Sequence, residues 1–244
     1  MRFAGQTVVV VGGGSGIGKA IARQAAQAGA DIVISSRDRA KLEAALTELQ
    51  TGTAIPVDMT KPDSVNAWIA SLPDKIDHLV ISASSAAHGP FAHLPEEDLR
   101  AMFDAKFFGP YSIAKSALPK LQPGGSITFF SGVLSRRPGM NCSGLGAVNG
   151  AVEALTRGLA LELGPNLRVN CLSPGMIKSE AYDGMDPSAR EAMYDATGAS
   201  LPLGRVGEVE EAADAALFLM ANTNSTGVVL DVDGGHMVRQ YAHS

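Results

Sequence analysis

The chain has 244 residues and a formal net charge of −5, with 45% hydrophobic and 18% charged residues. That much apolar material builds a sizeable core and excludes disordered and collagen-like chains, while a mildly acidic balance without a basic stripe argues against nucleic acid as a partner. Two cysteines, Cys142 and Cys171, are too few for a disulfide framework or a structural zinc site, so both are expected to be small buried hydrophobes.

Taken in chain order, short β-branched runs alternate with longer helical patterns, which predicts βαβ units around a parallel sheet. Thr7–Val11 is a continuous apolar run, as expected of a strand buried on both faces. A helix is predicted over 17–28, stopped by Gly29, then a strand over 32–34 and a helix over 41–49. A weaker third strand over 53–57 leads into a helix over 64–71 and a fourth strand over 78–81. One or two helices are expected over 96–121, a strand over 126–130, a long helix over 144–163 and a strand over 168–172. The segment 178–206 is polar and irregular with helical patches and reads as a lid or substrate loop. A last helix over 208–220 and a seventh strand over 228–232 complete the pattern, with no linker or repeat to divide residues 1–244 into more than one domain. The start of the chain runs straight into a strand, and no apolar run approaches the roughly 18–20 residues that cross a bilayer, so a cytoplasmic protein with no membrane partner is expected.

The first strand enters Gly12-Gly13-Gly14-Ser15-Gly16-Ile17-Gly18, where a helix begins. A helix N-terminus offers unpaired N–H donors and the positive end of its dipole, so a pyrophosphate is well placed there. Gly12 allows the tight turn, Gly16 a close approach of backbone to phosphate, and Gly18 close packing of helix on strand; Gly14, Ser15 and Ile17 complete the cradle. At the end of the second strand stands Ser35-Ser36-Arg37, where a carboxylate would hold the ribose hydroxyls of NAD. Ser36 and Arg37 instead suit a 2′-phosphate, which makes NADP(H) the expected cofactor, the alternative being a solvated surface arginine. Asp58 and Met59 after the third strand are placed to touch the adenine, or form a simple loop.

These features resemble the short-chain dehydrogenase/reductase family over essentially the whole chain. The 12–18 run is similar to its TGxxxGxG, with Val11 in place of threonine; Arg168-Val169-Asn170 resembles its RVN element, and Pro174-Gly175-Met176-Ile177-Lys178-Ser179 its PGxxxT. Gly227 with Asp233-Gly234-Gly235 is similar to the closing strand. The resemblance implies an α/β fold of Rossmann type, a doubly wound, mostly parallel seven-stranded sheet with helices on both faces. It also implies a dinucleotide held in part by Pro174, Gly175, Ile177 and Ser179, and a homo-oligomer, dimer or tetramer, built through long helices and the C-terminal strand.

The family's catalytic residues are a tyrosine acid/base, a lysine one helical turn later, a carbonyl-polarising serine and an asparagine anchoring a water relay. The run Ala151-Val152-Glu153-Ala154-Leu155-Thr156 resembles the segment after the lysine, so counting back puts Asn149 at the lysine and Leu145 at the tyrosine. The fifth strand puts Gly132 at the serine, preceded by Ser131; Asp104-Ala105-Lys106-Phe107-Phe108-Gly109 resembles NxxG with Lys106 at the asparagine; and the NNAG turn becomes Ile81-Ser82-Ala83-Ser84. All four usual catalytic positions are therefore substituted.

Two readings follow. In the first, the chain is an NADP(H)-dependent oxidoreductase of a small carbonyl or alcohol with a displaced proton donor. Lys106 is its natural candidate, because desolvation disfavours an ammonium, the alternatives being a ligand of the nicotinamide ribose or of a substrate oxygen, or a solvated or ion-paired helix residue; Ser131 or Ser84 is the candidate carbonyl polariser. Asn149 is kept as a ribose ligand, Ala83 and Ser84 as cofactor contacts, and Tyr182 and Tyr194 as acids reaching in from the lid. In the second, the chain binds NADPH without turnover, as a sensor or structural partner. His88 and His93 are weaker candidates for touching substrate and Arg136-Arg137 for an anionic group. No metal site is expected, since no cysteine or carboxylate stands at ligand spacing, and Ser131 lacks the G-x-S-x-G setting of a hydrolase.

Overall fold

The computed structural model describes residues 1–82 and 87–239. Strands β1 (Thr7–Val11), β2 (Asp31–Ser35), β3 (Thr53–Ala54), β4 (Ile76–Ile81), β5 (Leu121–Phe130) and β6 (Arg168–Pro174) lead to two short strands, β7 (Ile177–Lys178) and β8 (Gly207–Glu208), and to β9 (Val229–Val232). Seven of them form one sheet in the order β3-β2-β1-β4-β5-β6-β9, parallel at every pairing. Strands β7 and β8 pair with each other. The helices are α1 (Gly16–Gln27), α2 (Arg39–Leu49), α3 (Pro62–Ser71), α4 (Glu96–Phe103), α5 (Gly109–Ala117), α6 (Ser143–Leu163), α7 (Pro187–Ala199) and α8 (Val209–Ala221).

The two-residue period of a strand explains the layering. Along β1, Val8 and Val10 enter one core with Ile21 of α1, Leu42 of α2 and Ala216 of α8. Val9 and Val11 enter the other with Trp68 of α3, Ile113 of α5 and Val152 of α6. The chain leaves β1 on one side for β2 and β3 and later returns on the other for β4. That reversal opens a crevice at the carboxyl ends of β1 and β4, the place where such sheets hold ligands.

The doubly wound, seven-stranded expectation is met, with local differences. Strand β3 is only Thr53–Ala54, although Ile55 and Val57 still donate to the Ile34 and Ser36 carbonyls; Pro56 between them faces the open edge of the sheet, where a missing N–H breaks no ladder bond. The 96–121 stretch is two helices joined by a π-helical turn at Asp104–Phe108 that contains Lys106. The 178–206 segment is more regular than its sequence suggests. Asp186 caps α7 through Ser188 and Ala189, with Pro187 in the first turn, and only Tyr194 and Gly198 of α7 are buried, so no apolar stripe advertised it. Cys171 is buried as expected, whereas Cys142 is half-buried beside His88, whose Nδ1 lies 3.4 Å from its Sγ.

His78 on β4 packs edge-on against Phe3 and shares a 2.8 Å hydrogen bond with Ser126 Oγ. Burial, helped by the Arg168 charge, lowers its pKa from 6.5 to about 4. The unfolded chain therefore takes up a proton that the folded one refuses. The stability this gives is complete above pH 6.5 and is lost as pH falls towards 4, by an amount on the order of 3 kcal/mol. In a His78→Leu, Ser126→Ala double variant, which leaves no hydroxyl unpaired, melting temperature should vary less with pH between 6.5 and 4 than in the parent. An unchanged slope would show that His78 does not drive the acid loss.

Candidate active site

A cleft of about 380 Å³ occupies the crevice. Its floor is the β1–α1 turn, with Gly12, Gly14, Ser15, Gly16, Ile17 and Gly18 all on its wall. Gly16 has φ 53°, a backbone that side chains rarely adopt. At Gly18 a Cβ would stand 2.2 Å from the Gly12 carbonyl oxygen and 2.5 Å from Ser82 Oγ, so only glycine lets α1 approach the strand ends this closely. The N–H of Gly16 donates to Glu180 Oε2 at 2.8 Å.

Ser36 and Arg37 line the far end of the cleft together with Asp38 and Lys41. The Asp38 side chain is engaged as the α2 cap, accepting from the Lys41 N–H at 3.1 Å, while Arg37 is exposed. Asp58 and Met59 line the same cleft, following Val57, whose N–H donates to the Ser36 carbonyl. The Asp58 carboxylate holds its own loop, accepting from the Thr60 N–H and hydroxyl and pairing with Lys61, and the Thr60 hydroxyl, opposed by partial burial, holds its pKa below the usual range. Ser179 also reaches this cleft, whereas Asn149, Pro174, Gly175 and Ile177 are not on its wall. The Gly175 N–H donates to the Val232 carbonyl, and Ile177 is buried against Gly207. Ala83 and Ser84 lie outside the described residues.

A second group of polar side chains sits behind the cleft. On α6, Leu145, Asn149 and Glu153 follow one another at four-residue steps and are all buried. Leu145 packs with Met102, Val148, Phe103 and Phe107, an apolar setting where the resemblance implies a tyrosine. A Cβ on Gly132 would stand 3.0 Å from Asn149 Nδ2, so the positions that align with the family's serine and lysine do face each other. Asn149 Nδ2 donates to the Gly132 carbonyl at 3.4 Å, and its Oδ1 is buried with no hydrogen-bond partner among the described residues.

Lys106 and Ser131 are brought together. The buried Lys106 Nζ donates to the Ser131 backbone carbonyl at 3.2 Å, and burial pushes its pKa from 10.5 down to about 8. The Ser131 hydroxyl is directed elsewhere, donating to Glu153 Oε1 at 3.2 Å. Glu153 also accepts from Ser135 Oγ at 2.5 Å and pairs with Arg136 Nε at 3.5 Å. Arg136 spends its charge within the fold, on Asp231, Glu153 and Ser173, which corrects its reading as a free anion binder. Arg137 donates to the Met237 carbonyl.

Tyr182 and Tyr194 stack edge-on at 5.7 Å, with Tyr194 buried and Lys178 over its ring. Burial raises the Tyr182 phenol further above the range of a neutral-pH acid. His88 and His93 are both exposed. No group of three or more metal-ligating side chains occurs among the described residues. Glu153, Lys41 and Glu180 were missed in the sequence. The four-residue step from Asn149 marks Glu153 and that from Arg37 marks Lys41, but nothing local signals Glu180, whose contact spans 164 residues.

Comparison with known proteins decides the family. A family model described as Enoyl-(Acyl carrier protein) reductase matches residues 11–237. The L-fucose dehydrogenase of Mus musculus is 35% identical over 96% of this chain and 89% of its own. This chain belongs to the short-chain dehydrogenase/reductase family. Carbonyl reductase family member 4 of Xenopus laevis is 32% identical over 93% of this chain and 95% of its own. A small-chain dehydrogenase solved in complex with NADPH superposes with a TM-score of 0.84, at 38% identity over 96% of this chain and 99% of that one. The protein is accordingly an oxidoreductase with a nicotinamide cofactor.

The residues present fit such a group. Gly18 leaves room for nothing larger, Gly16 turns an N–H towards the cleft, and Asn149 Oδ1 is an orphaned buried acceptor. A bound nicotinamide supplies or accepts the hydride.

Proposed function

We propose that this chain is an NADP(H)-dependent oxidoreductase of a small carbonyl or alcohol compound, working with an acid–base group other than the family tyrosine. The observation that carries the cofactor choice is the cleft end at β2, where Arg37 and Lys41 are the cations and the Asp38 carboxylate is committed to its helix cap. In this reading Gly12, Gly14, Ser15, Gly16, Ile17 and Gly18 hold the pyrophosphate, Ser36 and Arg37 the 2′-phosphate, and Asp58 and Met59 the adenine. Pro174, Gly175, Ile177 and Ser179 border the nicotinamide end, and Asn149 Oδ1 accepts from a ribose hydroxyl. The names of the relatives, L-fucose dehydrogenase, L-xylulose reductase and carbonyl reductase, support a carbonyl/secondary-alcohol substrate.

Within the site, Lys106 is the proton carrier. Its Nζ is lowered to about 8 and fixed by the Ser131 carbonyl, so the amine and ammonium forms interconvert near neutral pH. Ser131 acts by fixing Lys106 through its carbonyl, because its hydroxyl is taken by Glu153. The redox-silent sensor receives no support from the relatives, which are named dehydrogenases and reductases.

Residues 1–244 are read as one domain with 178–206 as its lid. No helix of the described residues is long and apolar enough to cross a membrane. We read the protein as cytoplasmic and as a homo-oligomer, dimer or tetramer, for which the exposed Leu161 on α6 and Phe108 beside α5 supply apolar contact surface. Purified protein should be protected against thermal unfolding by NADPH more than by NADH, and should oxidise NADPH with members of an aldose, ketose and simple carbonyl panel. Equal protection by NADH would remove the 2′-phosphate assignment. Binding without turnover on any substrate, in either direction, would leave the redox-silent binder standing.

A further inference from the structure

The N–H of Gly16 opens α1, whose N-terminus is the natural seat of an anion. In this structure an anion from the chain itself lies there. Glu180 Oε2 accepts from Gly16 at 2.8 Å, and Oε1 lies 3.0 Å from Lys19 Nζ, one turn into the same helix. Burial pushes the Glu180 carboxyl up, yet its bonds to its own N–H, to Lys19 and to Gly16 together hold it below the usual range, so it is charged throughout the neutral range. Lys19 is shared with Glu48, also at 3.0 Å, and therefore keeps a partner if Glu180 leaves.

Glu180 is also mechanically connected to the segment after it. It opens the short helical turn Glu180–Tyr182, whose Tyr182 ring packs on Tyr194 of α7, and Asp183 pairs with Arg190 of α7 at 2.8 Å. A carboxylate seated on the phosphate cradle and tied to α7 has a consequence for binding. It and a dinucleotide's diphosphate compete for one N–H and one positive field.

We propose that Glu180 is a tethered competitor of the cofactor's diphosphate: it occupies the α1 N-terminus in the free protein, and a dinucleotide must displace it, shifting the 180–199 segment as it does so. The proposal rests on the dinucleotide-binding reading above. A ligand that binds only the unlatched fraction has its apparent affinity reduced by that fraction, so removing the latch restores it. A charge-assisted contact of this exposure favours the latched form by about five- to tenfold, and that is the expected gain.

The test is a set of dissociation constants, measured by titration without turnover, for the parent, Glu180→Gln and Glu180→Ala. NADPH and ADP, which both carry the diphosphate, should bind about five- to tenfold more tightly to the variants, with Ala at least as tight as Gln. 2′-AMP, which carries a phosphate only at the Arg37 end, should bind parent and variants alike. Unchanged NADPH and ADP affinities, with binding otherwise intact, would overturn the latch alone. An equal gain for 2′-AMP would also overturn it, showing a general charge effect in the cleft. Failure of every protein to bind any of the three would overturn the dinucleotide site and the latch with it.

Discussion

Lys106→Met should make the protein more stable and far less active. Methionine matches the lysine stem in length and removes the charge from a position where burial holds the ammonium at about 8, against 10.5 when free. With the folded pKa depressed, the unfolded chain binds this proton more strongly. The resulting penalty is absent above pH 10.5, grows as pH falls towards 8, and is complete at pH 7, at on the order of 3 kcal/mol. Loss of the single hydrogen bond to the Ser131 carbonyl returns about 1 kcal/mol of this. A net gain of about 2 kcal/mol corresponds to a rise in melting temperature of about 4–8 °C at this chain length.

Turnover should move the other way. Removing a general acid costs about 100-fold or more in kcat. The NADPH dissociation constant should not change, because Lys106 Nζ is engaged by the Ser131 carbonyl and the proposed cofactor contacts are made by other residues. The parent's pH–rate profile should show an inflection near 8 that the variant lacks. A variant that is stabilised but fully active would make Lys106 a structural residue and return the search for the acid to the substrate itself. A destabilised variant would mean the ammonium has a partner that the 3.2 Å carbonyl contact does not represent. Stability and activity changing in opposite directions is the signature expected of a buried charge kept for chemistry.

The π-helical turn that carries Lys106 shows how much of this was visible beforehand. The strands were legible because Val8–Val11 and their counterparts are apolar on both faces, a pattern that only a sheet covered on both sides produces. The glycine turn was legible because each glycine answers a conformational or steric demand, met in the structure by the turn at Gly12 and the close packing at Gly18. The alignment of Leu145, Asn149 and Gly132 rested on spacing, and the approach of Gly132 to Asn149 shows that those positions do face each other. What spacing cannot convey is which way a hydroxyl points. Ser131 stands next to the family's serine position, yet its hydroxyl is held by Glu153 of α6, which also engages Ser135 and Arg136 from the turn after β5. Contacts of that kind join residues far apart in sequence and leave no local periodicity. The same holds for Glu180 on Gly16, and for the exposed α7, which has no stripe to reveal it.

At the opposite end of the cleft, Arg37→Ala should weaken NADPH binding by about 10- to 100-fold and leave NADH binding nearly unchanged, since a charge-assisted hydrogen bond to a phosphate contributes about 1.5–3 kcal/mol. Arg37 is exposed, so its contribution is screened, and the NADPH advantage of the parent should shrink as ionic strength rises more steeply than that of the variant, which keeps only Lys41. Lys41 stands in the first turn of α2 and lines the same cleft, but it is a point charge where the guanidinium is a planar fork, so Lys41→Ala should cost less. Arg37→Asp goes further. It places a carboxylate at the end of β2, where one accepts from ribose hydroxyls and repels a 2′-phosphate, and should reverse the preference towards NADH. Titrating both dinucleotides against the three variants separates the possibilities. A loss in Lys41→Ala with none in Arg37→Ala would move the phosphate to α2. Equal losses for NADPH and NADH in Arg37→Ala would mean that Arg37 supports the adenosine generally, and the cofactor preference would then have to come from elsewhere in the cleft.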